Sequence, residues 1–184
     1  MLGIAFVSGA TAIFGLVYLL STALGVSHLP ADVRVSLGAA GLLVLAAIDL
    51  RAIRKSTYCR LSWLRQTPKA LMRRRSVTTV AAVWGFDTGL AVTTVRVAAI
   101  TWGAFLLVGL GLSTWFTGIG YGLGFTLPFL TLLWTHRVGR LARAPGPVDP
   151  GLERMLDKRK TMQALSGAIL TAGAAMLITS IVLT

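Results

Sequence analysis

Residues 84–96 read WGFDTGLAVTTVR. Between Arg75 and Arg137 the only charged side chains are Asp87 and Arg96, and both lie in this stretch. The surroundings are apolar throughout. The 184-residue chain is 55% hydrophobic and 13% charged, roughly half the ~25% charge of a soluble domain, and its mean hydropathy is +0.76. Residues 1–31, 97–136 and 161–184 contain no Asp, Glu, Lys or Arg. Uncharged apolar runs of about 18 residues or more read as transmembrane helices. The expected fold is therefore an all-α, polytopic transmembrane bundle, and the question is why it holds a carboxylate and a guanidinium in its least polar tract.

Charge placement sets the expected topology. The net charge is +12, which in a soluble chain would suggest nucleic acid as a partner, but no binding motif accompanies it and nucleic acid is not expected. The basic residues fall in two blocks beside apolar spans. Residues 51–75 hold Arg51, Arg54, Lys55, Arg60, Arg65, Lys69, Arg73, Arg74 and Arg75 with no acid, and residues 137–160 hold seven basic residues against three acidic ones. The positive-inside rule puts both blocks in the cytoplasm, next to anionic lipid. Leu61, Trp63, Leu64, Leu71 and Met72 interleave with the first block around Pro68, which fits either a short interfacial segment or a solvated loop. With both loops inside, residues 76–136 must cross an even number of times. Three naive spans over that stretch violate the constraint, and two crossings satisfy it if one is overlong. The expected spans are about 2–25, 34–54, 78–111, 113–136 and 161–184, a single domain with the amino terminus inside and the carboxyl terminus outside. Because span 34–54 has a short uncharged core, Arg34 and Asp49 are expected near the headgroups.

The overlong span, 78–111, has 34 residues, whereas about 20 cross a ~30 Å core. Gly85 and Gly89 bracket Asp87, and glycine weakens a helix, so the span is expected to break at Gly85–Gly89. Irregular backbone at membrane depth survives only where it lines a cavity or is buried in protein. In the next span Gly118, Gly120, Gly122 and Gly124 form two overlapping GxxxG pairs, suited to close helix packing. Pro128 is expected to break or kink the same helix, since it leaves the Gly124 carbonyl without its donor.

A resemblance follows from these elements. The order of a Gly-rich broken span, then GIGYGLGFTLPFLTLLW (118–134), then ALSGAILTAGAAMLI (164–178) resembles the second half of the CcdA/DsbD transmembrane family, within the LysE-type superfamily. Tyr121, Leu123, Gly124, Pro128 and Phe129 carry it, and it extends over about residues 76–184. The resemblance implies inverted three-helix repeats and, in relatives, electron transfer through cysteines in the broken helices. Where the relatives keep their second cysteine, this chain has Asp87-Thr88-Gly89, and Cys59 is its one thiol. It reads as a five-helix relative that lacks the thiol relay.

The functional expectation rests on Asp87. A carboxylate at membrane depth costs several kcal/mol unless it is paired, protonated or hydrated, and such groups mark ion or substrate paths. The bland alternative is an N-cap for the helix after the break. Thr88 and Arg96 are the companion ion- or substrate-binding candidates, although a continuous helix would put Arg96 on the opposite face from Asp87, ~13 Å along the axis. Trp84, Trp102, Trp115 and Trp134 read as interfacial or packing residues. His28 and His136 are too far apart in sequence to suggest a metal site, and no catalytic constellation, metal or cofactor is expected. Two functions remain open. One is a small bacterial inner-membrane transport protein for an ion or small cationic solute. The other is a non-catalytic subunit of a larger membrane complex, held through Gly118–Gly124 and the basic loops. Either could be a homo-oligomer or could pair with an unlike membrane protein.

Overall fold

The computed structural model describes residues 1–57, 61, 76–90, 98–135 and 158–183, with backbone only at 128–130 and 132–135. Among them the chain is entirely helical, with no strand. The elements are α1 (Leu2–Ala23), α2 (Ala31–Arg54), α3 (Val77–Gly89), α4 (Ile100–Gly109), α5 (Thr117–Thr135) and α6 (Arg159–Val182), with a single 3-10 turn at Val26–His28. Helices α1, α2 and α6 are long and apolar enough to cross a membrane, and α4 is apolar but short. At 1.5 Å per residue, α1 spans ~33 Å and α4 ~15 Å, against a ~30 Å hydrocarbon core.

Local sequence sets the helix ends. Helix α1 stops where Gly25 takes a left-handed conformation, φ +68°, which glycine adopts without a Cβ clash. Pro30 then precedes α2, whose first turn carries Asp32 and whose last carries Arg51 and Arg54, each sign matched to the helix dipole. Ser76 caps α3 by accepting the Thr79 N–H at 3.2 Å, a usual N-cap role for serine.

Side-chain register fixes the direction of each helix. The Leu2 and Phe6 carbonyls of α1 lie against Gly85 and Gly89, so α3 runs parallel to α1. Phe14 stacks on Phe105 at 4.4 Å, and the Ser21 hydroxyl donates to the Gly109 carbonyl at 2.7 Å, so α4 also runs parallel to α1. Gly118 sits by Ala10 and Gly122 by Val7, while Phe125 stacks on Phe6 at 4.4 Å. Helix α5 is therefore antiparallel to α1. Ser166 lies at Asp49 and Gly173 at Leu42, which makes α6 antiparallel to α2. As a result Thr57, Ser76, Thr135 and Lys158, the residues flanking both basic blocks, lie at the end of the bundle where α1 begins. Leu24, Arg34, Gly111 and Leu183 lie at the other end.

Two packed groups form the interior. One is α1 between α3 and α5, and the other is the α2–α6 pair. Helix α4 joins them. Its Phe105 lies on the aromatic stack of Phe14, Tyr121 and Phe6. Its Trp102 and Leu106, with the preceding Ala99, pack into the cluster of Ala39, Leu42, Leu45, Leu170 and Ala174. Gly103 lets α4 approach Leu170 and Leu42, where a Cβ would come within 2.5 Å of Leu170 Cδ2.

Gly85–Gly89 are themselves helical, and α3 ends with them. These five residues are the end of a continuous helix that closes at Leu90, whose N–H donates to the Phe86 carbonyl at 3.0 Å. Their glycines serve contact. A Cβ on Gly85 would lie 2.5 Å from the Leu2 carbonyl oxygen, and one on Gly89 would collide with that of Phe6. From α1, Gly9 meets the Phe86 carbonyl in the same way. Gly85 and Gly89 are thus a third GxxxG pair, in direct backbone contact with α1. The pairs in α5 divide: Gly118 and Gly122 face α1, whereas Gly120 and Gly124 have nothing among the described residues within 4 Å of a built Cβ. Helix α5 is continuous through Pro128, so the proline does not break it.

Substitution should separate the two kinds of glycine. Gly89→Val forces backbones apart and should destabilise the folded protein by ~1–3 kcal/mol. Gly120→Val should leave its melting temperature in detergent within about a degree or two of wild type, since surface changes away from contacts stay near ±0.5 kcal/mol.

Candidate functional site

The completely buried carboxylate among the described residues is Asp49, at 0% exposure. It is enclosed by protein on all sides. It lies on the inward stripe of α2, in register with buried Gly38, Leu42, Leu45 and Ala52. That 4-3-4-3 spacing continues straight through Asp49 and is the sequence signal that could have found it. Its partners come from two other elements. The Ala99 N–H donates to Oδ1 at 2.9 Å and to Oδ2 at 3.1 Å. The Ser166 hydroxyl donates to Oδ2 at 2.5 Å.

The geometry is that of an N-cap supplied from a distant part of the chain. Ala99 is the residue at which α4 starts, and its own side chain has no polar atom to cap with. The first N–H groups of a helix lack intrahelical acceptors, and in an apolar interior each would cost several kcal/mol unmade. Asp49 supplies the acceptor, and the positive end of the α4 dipole partly balances its charge. The far end of α4 is served in the same manner. Ser21 of α1 donates to the Gly109 carbonyl, and Arg34 Nη1 of α2 reaches the Gly111 carbonyl at 3.4 Å. Gly111 has φ +64°, which frees the chain to turn there. At the end near Asp49, Gln163 of α6 is fully buried and its Nε2 donates to the Thr57 carbonyl at 2.9 Å. This bond ties the start of α6 to the residues just past α2.

Asp87 has a different setting. It lies in the last turn of α3 and is only partly covered. Thr88 donates its hydroxyl to the Trp84 carbonyl at 2.7 Å, a bond within its own helix that Thr11, Thr22, Thr171 and Thr179 repeat elsewhere. Arg96, Cys59 and His136 lie outside the described residues. Thr101 is buried, with its hydroxyl 3.5 Å from that of Tyr121. His28 sits in the turn between α1 and α2, at the opposite end from the basic blocks. Among the described residues no group of three His, Cys, Asp or Glu is brought together.

Asp49 and Asp87 therefore differ in what they can do. Asp49 is dry, and both its oxygens accept hydrogen bonds, so it acts as a fixed pin. Asp87 stands near the carbonyl-rich end of α3, where the negative pole of the helix and the carboxylate both favour a cation. No family model, no curated protein and no solved structure matches this chain.

The pin can be tested by stability. Asp49→Leu leaves the Ala99 N–H and the Ser166 hydroxyl without an acceptor, and should cost ~2–5 kcal/mol. Asp49→Asn keeps one acceptor oxygen and should cost less, ~1–2 kcal/mol. Thermal unfolding in detergent should rank them wild type, Asn, Leu, and amide exchange at Ala99 should quicken in the same order.

Proposed function

We propose that the chain is a small transport protein of the bacterial inner membrane that moves a cation or small cationic solute past an interrupted span. In this reading α3 and α4 are two parts of one crossing. The bundle then crosses five times, with Met1 and both basic blocks on the cytoplasmic side. The observation that carries the reading is the pairing of α3, which ends at Gly89 just after Asp87, with α4, a helix of ~15 Å pointing the same way. Discontinuous helices near the middle of a membrane are where transporters hold their cargo, and the C-terminal ends of half-helices suit cations. Asp87 is the cation-facing acid, Thr88 and Arg96 are its companions, and Asp49 holds α4 in place. The likeness to CcdA/DsbD proteins is proposed for the scaffold alone, with an acid where relatives keep a thiol.

A second reading has its own support. Gly120 and Gly124 are a GxxxG face with none of the described residues against it, as a subunit docking on an unlike partner would have. Gentle purification that brings down a second membrane protein in stoichiometric amount decides for the subunit.

Flux decides for the transporter. Purified protein in liposomes should dissipate an imposed proton, sodium or potassium gradient, read with dyes trapped inside. Asp87→Asn should cut that flux by at least about tenfold, of the order expected when a charged group bound to its partner is lost, while keeping the elution profile and helicity of wild type. Flux untouched by Asp87→Asn removes Asp87 from the site. The topology has a separate check: green fluorescent protein fused before Met1 should fluoresce, and alkaline phosphatase fused after Thr184 should be active.

A further inference from the structure

The side of the α2–α6 pair turned away from α4 carries an open groove of about 770 Å³. Its floor is made of small residues, among them Ala46 on α2 and Ala164, Gly167 and Ala168 on α6, and Leu43 and Leu50 form part of one wall. Its lining on α6 runs from Gln163 to Ala175, a rise of ~18 Å. That is close to one leaflet, half of a ~30 Å core, and too short for a second membrane-spanning helix along its length.

One end of the groove is basic. On α6 the lining positions Ala164 and Ala168 are four apart, and one turn further out on the same face is Lys160. On α2 the lining residue Leu50 is followed one turn later by Arg54. Neither Lys160 nor Arg54 is covered by protein. The hydrogen bond from Gln163 to the Thr57 carbonyl holds these two helix ends together. An apolar channel one leaflet deep therefore opens between two cations, at the bundle end that bears both basic blocks.

We infer that this groove is a binding site for one anionic phospholipid, with an acyl chain lying over Gly167 and Ala168 and the phosphate held between Arg54 and Lys160. Amphiphiles with a negative head match both parts of the surface, and basic pockets between membrane helices hold such headgroups. The inference requires that α2 and α6 lie in a bilayer, and it is independent of whether anything is transported. Small residues keep the floor low, and the guanidinium can engage phosphate oxygens in a planar fork.

Native mass spectrometry of the detergent-purified protein, titrated with phosphatidylglycerol or phosphatidylcholine, tests it. Wild type should retain phosphatidylglycerol roughly tenfold better, as two cations near an anionic head imply. The double variant Arg54→Gln, Lys160→Gln should bring the two lipids close to parity, and Arg34→Gln, at the opposite end, should change nothing. Ala168→Phe should lower retention of both lipids by filling the channel, and Thr171→Leu provides a milder filling variant if the phenylalanine protein does not fold. Equal retention of the two lipids by wild type would overturn the inference, as would a preference that survives the double variant. So would a dimer that Ala168→Phe dissociates while phosphatidylglycerol binding is unchanged, since the groove would then hold a second copy.

Discussion

The bundle depends on one carboxylate meeting one helix start. Helix α4 has ten residues; it starts inside the bundle, at Asp49, and finishes near the end where Arg34 and Gly111 lie. A helix that short leaves about as many backbone groups unbonded at its ends as it bonds within. The backbone of Leu110–Ser113 bonds the carbonyls of Leu106, Leu107 and Val108, and side chains from other helices add to this at both ends. Asp49 and Ser21 do so from α2 and α1, and Ser166 in turn holds Asp49. Held at both ends in this way, α4 carries Phe105 into one packed group and Trp102 and Leu106 into the other. The two groups share little surface without it.

Glycine does the complementary work along the helix sides. Apolar side chains gain little by leaving lipid for protein, so association in a membrane rests on close packing. Gly9, Gly85, Gly89, Gly118 and Gly122 bring α3 and α5 down onto the backbone of α1. Every second glycine of the α5 run is used in this way. The spacing of two rotates successive glycines by about 200° on a helix, so a single strip of sequence must present one pair inward and the other outward. Among the described residues, the outward pair and the α2–α6 groove are left open.

The charge pattern in the sequence is consistent with the direction of each helix seen here. The two basic blocks demand that an even number of legs separate them, and the register places the residues that flank them at one end. Legible too were the lengths of α1, α2 and α6, because uncharged apolar runs translate directly into rise along an axis. The site was less legible. Asp87 stands out in the sequence because it is alone with Arg96 in an apolar tract. Asp49 sits at the end of a short uncharged core, and only the helical stripe Gly38, Leu42, Leu45, Asp49, Ala52 marks it as inward-facing. Gly85 and Gly89 were read as weak points in a helix, and in the folded chain they are contact points.

The sequence by itself determined that this chain is helical, apolar enough for a membrane in at least three places, and strongly basic in two blocks. Those properties come from composition and period, which need no partner to be read. Only the tertiary structure decided which acid is dry, which glycines touch backbone and where α4 finds its caps. Each of these is a contact between residues 50 to 117 positions apart, and no local pattern encodes which distant N–H a buried carboxylate will meet.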